Sequence, residues 1–466
     1  MAKNHRLEAL IAEAGMSNSG LAARMQDCSR ADGGSPLKTD HTHVAKYISG
    51  ATKRPKARSL DIMRVVFSEK LGRPVSVSDL GYEEISELPA TDVGEELEYP
   101  INPAGSMDAL EVLTRLNQTS SNLVVLPQAW SDLLVNAMLG HETPYSPLET
   151  GTITEVEVQA ARDAHAMFST FDYRYGGGQS KMLVAKFLEA TVLPCIRFAD
   201  PDTEIGRRYF QAAAALTRLA GWTAYDIGEH GLAQRYLYQG FRLARAAGDL
   251  PLCGRLLAGM SHQANFLGHY QQAVNLARGA AHIAGGSATP TTMALFHAME
   301  ARGLASLGDE NQTVRALGAA EDHLSRSRSD DDPEWIRYFD ESELHAEYAH
   351  CYRDLGHGRK AMQYATASLS AVDGLYVRSA LFVRTVYATA QLHEREVEEA
   401  VSVAGDVADA VAHLNSHRLV CYVKDFHQRL RSSAADPETV RAFSDRAYQS
   451  LGSKGFPAPP AERVLA

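Results

Sequence analysis

The sequence predicts an all-α protein, with a small N-terminal domain of short helices followed by a long array of helical hairpins. Three observations carry this. Apolar residues recur at three- and four-residue spacing along most of the 466-residue chain, and no convincing alternating run of a β-strand interrupts them. Glycine-centred turns recur between residues 153 and 455, at intervals of 40, 40, 48 and 39 residues. The charge is divided: residues 1–82 hold 13 Lys/Arg and 8 Asp/Glu, a net of +5, within a chain of net charge −11. A basic head on an acidic body confines nucleic-acid contact to the head.

The head, residues 1–82, reads as four helices. The first covers about 4–14, with Leu7, Leu10, Ile11 and Ala14 on one stripe, and Gly15 ends it. Ser17 is placed to cap a second helix, "NSGLAARM", with Met16 and Leu21 as a hydrophobic staple. A Gly-, Ser- and Asp-rich stretch, "DCSRADGGSP", follows. A third helix covers about 40–49, capped by Asp40 and stopped by Gly50. A fourth covers about 58–71 and carries Leu60, Met63, Val66, Phe67 and Leu71 on one face.

Residues 83–98 contain seven acids and no base, which predicts an exposed linker. It opens a connecting region, 83–152, with helices expected near 106–117 and 127–139. From 153 to 455 the units "DIGEHGLAQRYLYQG", "NFLGHYQQAVNLARG", "ASLGDENQTVRALGA" and "RDLGHGRKAMQYATA" each end one helix at a glycine and begin another. The turn glycines are Gly228, Gly268, Gly308 and Gly356; a fifth unit has Arg395 in that place, and an earlier one is expected around Gly178. Helices after 412 are expected to cap the open end. The tail, 456–466, has too much proline and too little core material to be expected as ordered structure.

The third helix is the candidate nucleic-acid reader. Val44 with Ile48 or Tyr47 would face the small core, which turns His41, Thr42, Ala45, Lys46 and Ser49 outward, with His43 beside them. Lys38, Lys46, Lys53, Arg54, Lys56 and Arg58 surround this helix against one acid, Asp40. Small polar residues at a helix N-terminus, flanked by cations, suit reading of the major groove, while the cations hold phosphates and carry no sequence information. Zinc is a poor fit, because His41 and His43 point roughly 200° apart on a helix and no Cys or His cluster completes a site.

Two resemblances follow. "GHYQQA" (268–273), and in part "GEHGLA" (228–233) and "GHGRKA" (356–361), resemble the turn of the tetratricopeptide (TPR) repeat; "GDENQT" (308–313) lacks both its aromatic and its alanine. The units are longer than that family's 34 residues. The head resembles a helix-turn-helix of the XRE (Cro/repressor-like) class in "GMSNSGLAARM", "DHTHVAKYISG", "RP" and "EKLGRPVSVSDLGY", with a spacer of about 13 residues where that class has a tight turn. Regulators of actinobacteria join such a head to a TPR body. The expected fold is therefore all-α, an N-terminal helix-turn-helix domain followed by a TPR-like α-solenoid.

The resemblance implies a transcriptional regulator of development or secondary metabolism. It would bind double-stranded DNA through the head and hold a peptide, small-molecule or protein ligand in the solenoid groove. Specificity would come from a homodimer on two half-sites. Alignment on the turn glycines puts Arg218, Trp222, Tyr225, Arg255, His262, Asn265, Phe266, Arg302, His350 and Arg353 in that groove. Arginines with aromatics suit an extended peptide or a small anion. The alternative is a protein–protein adaptor whose head does not bind DNA.

No cofactor or metal is expected. No HExxH, GxSxG or Cys/His pairing occurs, and "YGGGQSK" (175–181) lacks the ending of a phosphate loop, so no enzyme is expected. "DPEWIRYFDESE" (332–343) reads as an insertion loop or helix start. Five scattered cysteines without a CxxC fit reduced thiols. With no apolar run of membrane length and no signal-like N-terminus, the expected location is the cytoplasm, at the nucleoid.

Overall fold

The structure is a computed structural model. It describes residues 4–31, 37, 39–52, 55, 57–71, 75, 79–82, 95–97, 103–117, 123–139, 145, 147–149, 151–328, 330–371 and 374–458. All regular elements among the described residues are helical. The chain divides into two compact units, residues 1–93 and 94–466.

In the first unit α1 (His5–Glu13), α2 (Asn18–Ala31), α3 (His41–Ile48) and α4 (Ala57–Leu71) enclose a core that includes Leu7, Leu21, Met25, Val44, Met63 and Phe67. Asn4 organises it. Its side chain caps α1 at the Leu7 amide (3.0 Å) and donates to the Leu80 carbonyl (2.9 Å), while its own amide donates to Ile48 (2.8 Å). Gly81, at φ +76°, passes so close that a Cβ there would lie 2.0 Å from Asn4 Oδ1. The stretch read as "DCSRADGGSP" begins as helix, because α2 runs on to Ala31. Ser29 Oγ donates to the Gln26 carbonyl and accepts from the Leu37 amide, and Gln26 Nε2 donates to the Thr39 carbonyl (2.6 Å). The spacer is thus shorter than the sequence implies, and its end is tied to α2.

The second unit begins with a 3-10 turn (Glu95–Leu97), α5 (Pro103–Leu116) and α6 (Pro127–Leu139). Next come α7 (Glu155–Tyr175), α8 (Gly177–Phe187), a π-turn (Leu188–Val192) and α9 (Leu193–Ile196). The hairpins are α10 (Glu204–Asp226) with α11 (His230–Ala246), α12 (Leu250–Phe266) with α13 (Tyr270–Ala284), and α14 (Pro290–Ser306) with α15 (Glu310–Leu324). They continue as α16 (Glu341–Asp354) with α17 (Gly358–Ala371) and α18 (Val377–His393) with α19 (Val397–Val411). Two last helices are α20 (His417–Ser432) and α21 (Pro437–Leu451). Within each pair the helices pack together, and the first helices of successive pairs also touch, which makes a solenoid-like array.

The repeated turn has one physical form. Gly228, Gly268, Gly308 and Gly356 lie at φ between +77° and +88°. The amide after each reaches back five residues, Glu229 to Ala224, His269 to Ala264, Asp309 to Leu304 and His357 to Tyr352, at 2.8–3.0 Å. This is the glycine-terminated helix end that satisfies otherwise orphaned carbonyls. Arg395 takes the same conformation at φ +67°, a cost of about 1–2 kcal/mol for a residue with a Cβ. In the early unit the turn residue is Gly176 (φ +86°), not Gly178, which lies inside α8.

Three further expectations change. The end of the acidic linker is not exposed: Glu96 and Leu97 are buried, and Glu96 faces the buried Arg235 (3.3 Å) on α11. A buried guanidinium requires such a partner. The tail beginning at 456 is not loose at its start, since Phe456 packs against His427 in the C-terminal core. The helices after 412 do more than cap an end, because with α18 they return to the first hairpin and the turn before it. Asn415 meets the Gly176–Gly178 turn, its carbonyl accepting from Gly178 (3.1 Å). Arg378 on α18 bridges Asp172 on α7 and Asp226 on α10 (2.7–3.0 Å), and Arg418 on α20 donates to Asp226 (2.9 Å).

Asp226 also accepts from Ser416 and the Gly177 amide, and it is fully buried. Asp226→Ala strands Arg418 without its acid and is expected to lower stability by about 3–5 kcal/mol, measured by chemical denaturation with tryptophan fluorescence. A midpoint equal to the parent's would remove the closure from this account.

Candidate functional site

The inner faces of α10, α12, α14 and α16 carry residues at three-, four- and seven-residue spacing: Arg218 and Trp222, Arg255 and His262, Met299 and Arg302, Glu343 and His350. That spacing stacks side chains on one helix face. Across from them stand Asp172 and Tyr173 of α7, Arg378 and Phe382 of α18, and Arg418 and Tyr422 of α20. Together they bound a cavity of about 140 Å³.

Most charges inside are matched. Arg302 Nη1 donates to Glu347 (2.7 Å), and Arg378 and Arg418 share Asp172 and Asp226. Burial alone would raise the Asp226 carboxyl, but Arg378 and Arg418 overcome it and hold Asp226 ionised. Arg418 lies 4.6–4.9 Å from the rings of Trp222, Tyr225 and Phe382. Arg255 lies over Trp335 (4.6 Å) and Tyr338 (5.3 Å), and its Nη1 donates to the Trp335 carbonyl. Glu343 is pushed up to about 8, by burial first and then by Glu347 and Asp340, so it is a neutral acid at pH 7. Burial, then neighbouring guanidiniums, keep His262 and His350 well below the usual histidine range, hence neutral.

Of the residues expected in the groove, Arg218, Trp222, Arg255, His262, Arg302 and His350 line this cavity. Asn265, Phe266 and Arg353 line a neighbouring cleft that shares His262, Arg302 and Tyr422. Arg353 is occupied by Asp354 (2.6 Å). Tyr225 is a correction. It is fully buried in the wall, its hydroxyl 2.8 Å from His262 Nδ1, because α20 covers the face an open groove would leave free. The sequence reading missed Asp172, Glu343, Arg378 and Arg418, which come from elements distant in sequence. It also set aside "DPEWIRYF", which forms a 3-10 turn (Glu334–Ile336) and brings Trp335 and Tyr338 to Arg255. A signal was present in both cases: acids and arginines in otherwise apolar helices, and two aromatics in an acidic insertion.

In the first unit α3 is capped as expected. Asp40 accepts from the His43 amide (3.0 Å) and pairs with His43 Nδ1 (2.7 Å). These bonds, backbone first, hold the Asp40 carboxyl at about 2. His43 is therefore a capping residue with one ring nitrogen already engaged. His41, Thr42, Ala45, Lys46 and Ser49 are exposed, while Val44 and Tyr47 are buried. Lys38, Lys53, Arg54, Lys56 and the Arg58 side chain lie outside the described residues.

No group of His, Cys, Asp or Glu suited to a metal occurs among the described residues, and no described helix is long and apolar enough to cross a membrane. Residues 7–83 match the family described as SP15 N-terminal domain. No curated protein and no solved structure matches the chain.

Glu343 gives a pH signature. Its folded pKa lies above its unfolded value, so the folded chain holds one more proton between about pH 4.5 and 8. The stability this contributes is complete below the unfolded value and lost as pH rises to 8, with a slope of up to about 1.4 kcal/mol per pH unit. Glu347, Asp340 and Arg302 face it. Glu343→Gln is expected to lose this slope, so the difference between the two stability curves should change with pH by up to about 1.4 kcal/mol per unit across that window. Parallel curves from pH 5 to 8 would mean that Glu343 is ionised.

Proposed function

We propose that this protein is a DNA-binding transcriptional regulator, whose N-terminal unit acts as a helix-turn-helix head and whose TPR-like array holds a ligand. The observation that carries the reading is α3. It is a capped eight-residue helix that buries Val44 and Tyr47 and exposes small polar residues and Lys46, in a head of net charge +5. Its resemblance to XRE-class heads supports the same reading, and so does the packing of α2 against α3. One head of this size reads few base pairs, so a homodimer on paired half-sites belongs to the proposal, as does a place at the nucleoid. The enclosed, arginine-rich interior of the array supports a ligand-sensing role. A ligand there shifts DNA affinity only if it binds two states of the chain unequally.

The test is binding of the full chain to genomic fragments over a range of salt concentrations. Salt-sensitive, sequence-selective binding is expected. Lys46→Ala should weaken binding to all sequences and reduce the slope against log salt by about one unit. His41→Ala and Thr42→Ala should each relax discrimination at one position by about 1–3 kcal/mol. If the three variants behave alike, α3 is not the reading helix. If no fragment is bound selectively, the adaptor reading replaces this one.

A further inference from the structure

Inside the cavity two cations are left over. Arg302 is matched by Glu347, and Arg378 and Arg418 by Asp172 and Asp226. Arg218 is 8% exposed, lines the cavity, and has neither a hydrogen bond nor an acid partner among the described residues. The Trp222 ring lies 6.0 Å away, and Tyr173, Tyr338 and Asp172, which Arg378 already holds, act on Arg218 through space without bonding it. Arg255 is 6% exposed; it bonds only a backbone carbonyl, and its Nε–H is buried without an acceptor. Burial and then Arg255 pull Arg218 down to about 10, which leaves it a cation at neutral pH. His165 lies near both guanidiniums; its Nε2 is buried without a partner, and burial, then Arg218 and Arg255, hold it neutral at about 3.

A guanidinium withdrawn from water needs an anion or a full set of acceptors. The cavity they line is rich in flat aromatic rings, Trp222, Tyr338, Tyr173 and Phe382, with the small residues Ala258 and Gly259 in its wall. The volume, about 140 Å³, is close to that of an apolar cavity of about 150 Å³ that holds benzene. That volume suits a small planar molecule better than an extended peptide. We propose that the cavity binds a small aromatic carboxylate, its carboxylate held by Arg218 and Arg255 and its ring among Trp222, Tyr338 and Phe382. Planar forked donors match a carboxylate, and the rings contribute contact area at low entropic cost. The assignment deepens the ligand-holding half of the proposed function and rests on that reading.

The probe is benzoate, titrated into the full-length protein by calorimetry and by the fluorescence of Trp222 and Trp335. Saturable binding at one site is expected, with benzyl alcohol and inorganic phosphate each weaker by at least about thirtyfold. Arg218→Met should weaken benzoate on the order of a hundredfold, with Arg218→Lys in between. Because the methionine removes an unneutralised charge, the empty Arg218→Met protein should melt at or above the parent's temperature, which separates lost binding from lost folding.

Benzoate binding no tighter than benzyl alcohol overturns the proposal, as does phosphate binding equally well, which would make this a bare anion hole. Unchanged benzoate affinity in Arg218→Met, or a lower melting temperature of its empty form, overturns it too. DNA binding is measured on the same samples. Benzoate binding without DNA binding removes the regulator and keeps this site; DNA binding without benzoate binding does the reverse.

Discussion

The second unit depends on one buried carboxylate. Asp226 ends α10, is fully buried, and holds Arg378 and Arg418 from two helices more than 150 residues away in sequence. Withdrawing these charges from water is expensive, and their attraction repays it only when the geometry is good and the remaining hydrogen bonds are made. Here they are made: Ser416, the Gly177 amide and Asp172 complete the cluster. Such a cluster adds little net stability over apolar packing. It does set position, because only one placement of α18 and α20 brings both arginines to the same acid.

The backbone cooperates with that placement. A Cβ at Gly177 would meet the Thr223 carbonyl at 2.7 Å, one at Gly178 would overlap Asn415, and one at Gly228 would lie 2.7 Å from His417. Glycines at these points let α7, α10 and the start of α20 approach closely enough for the ion cluster to form. The same closure creates the enclosed interior. Without α18 and α20, the arginines and aromatics of α10, α12 and α14 would face water, where each would be worth little. Enclosed, the two guanidiniums that no acid neutralises become the strongest recognition feature of the cavity.

Much of the fold was legible because helical hairpins are local objects. Periodicity places each helix, and a positive-φ turn announces itself as glycine. Arg395 was identified by register alone and adopts the strained turn conformation of its glycine counterparts. Asp40 and Ser17 were readable as caps because capping needs only neighbours within a few residues. The misplacement of Gly178 has the same origin. Three consecutive glycines offer equal freedom, and which of them turns is settled by Asn415, far along the chain.

By itself the sequence determined the helices, their turns, the basic head with its capped α3, and the inward face of each first helix, all of which follow from spacing within one element. Tertiary structure decided what lies opposite that face. It narrowed an expected open groove to a cavity walled by α18 and α20, drew the acidic Glu96 and the tail residue Phe456 into cores, and brought Trp335 and Tyr338 from an insertion to Arg255. These are pairings between residues tens to hundreds of positions apart. The charge at each position is printed in the sequence, but its burial and the partner that satisfies it are decided only when the chain closes on itself.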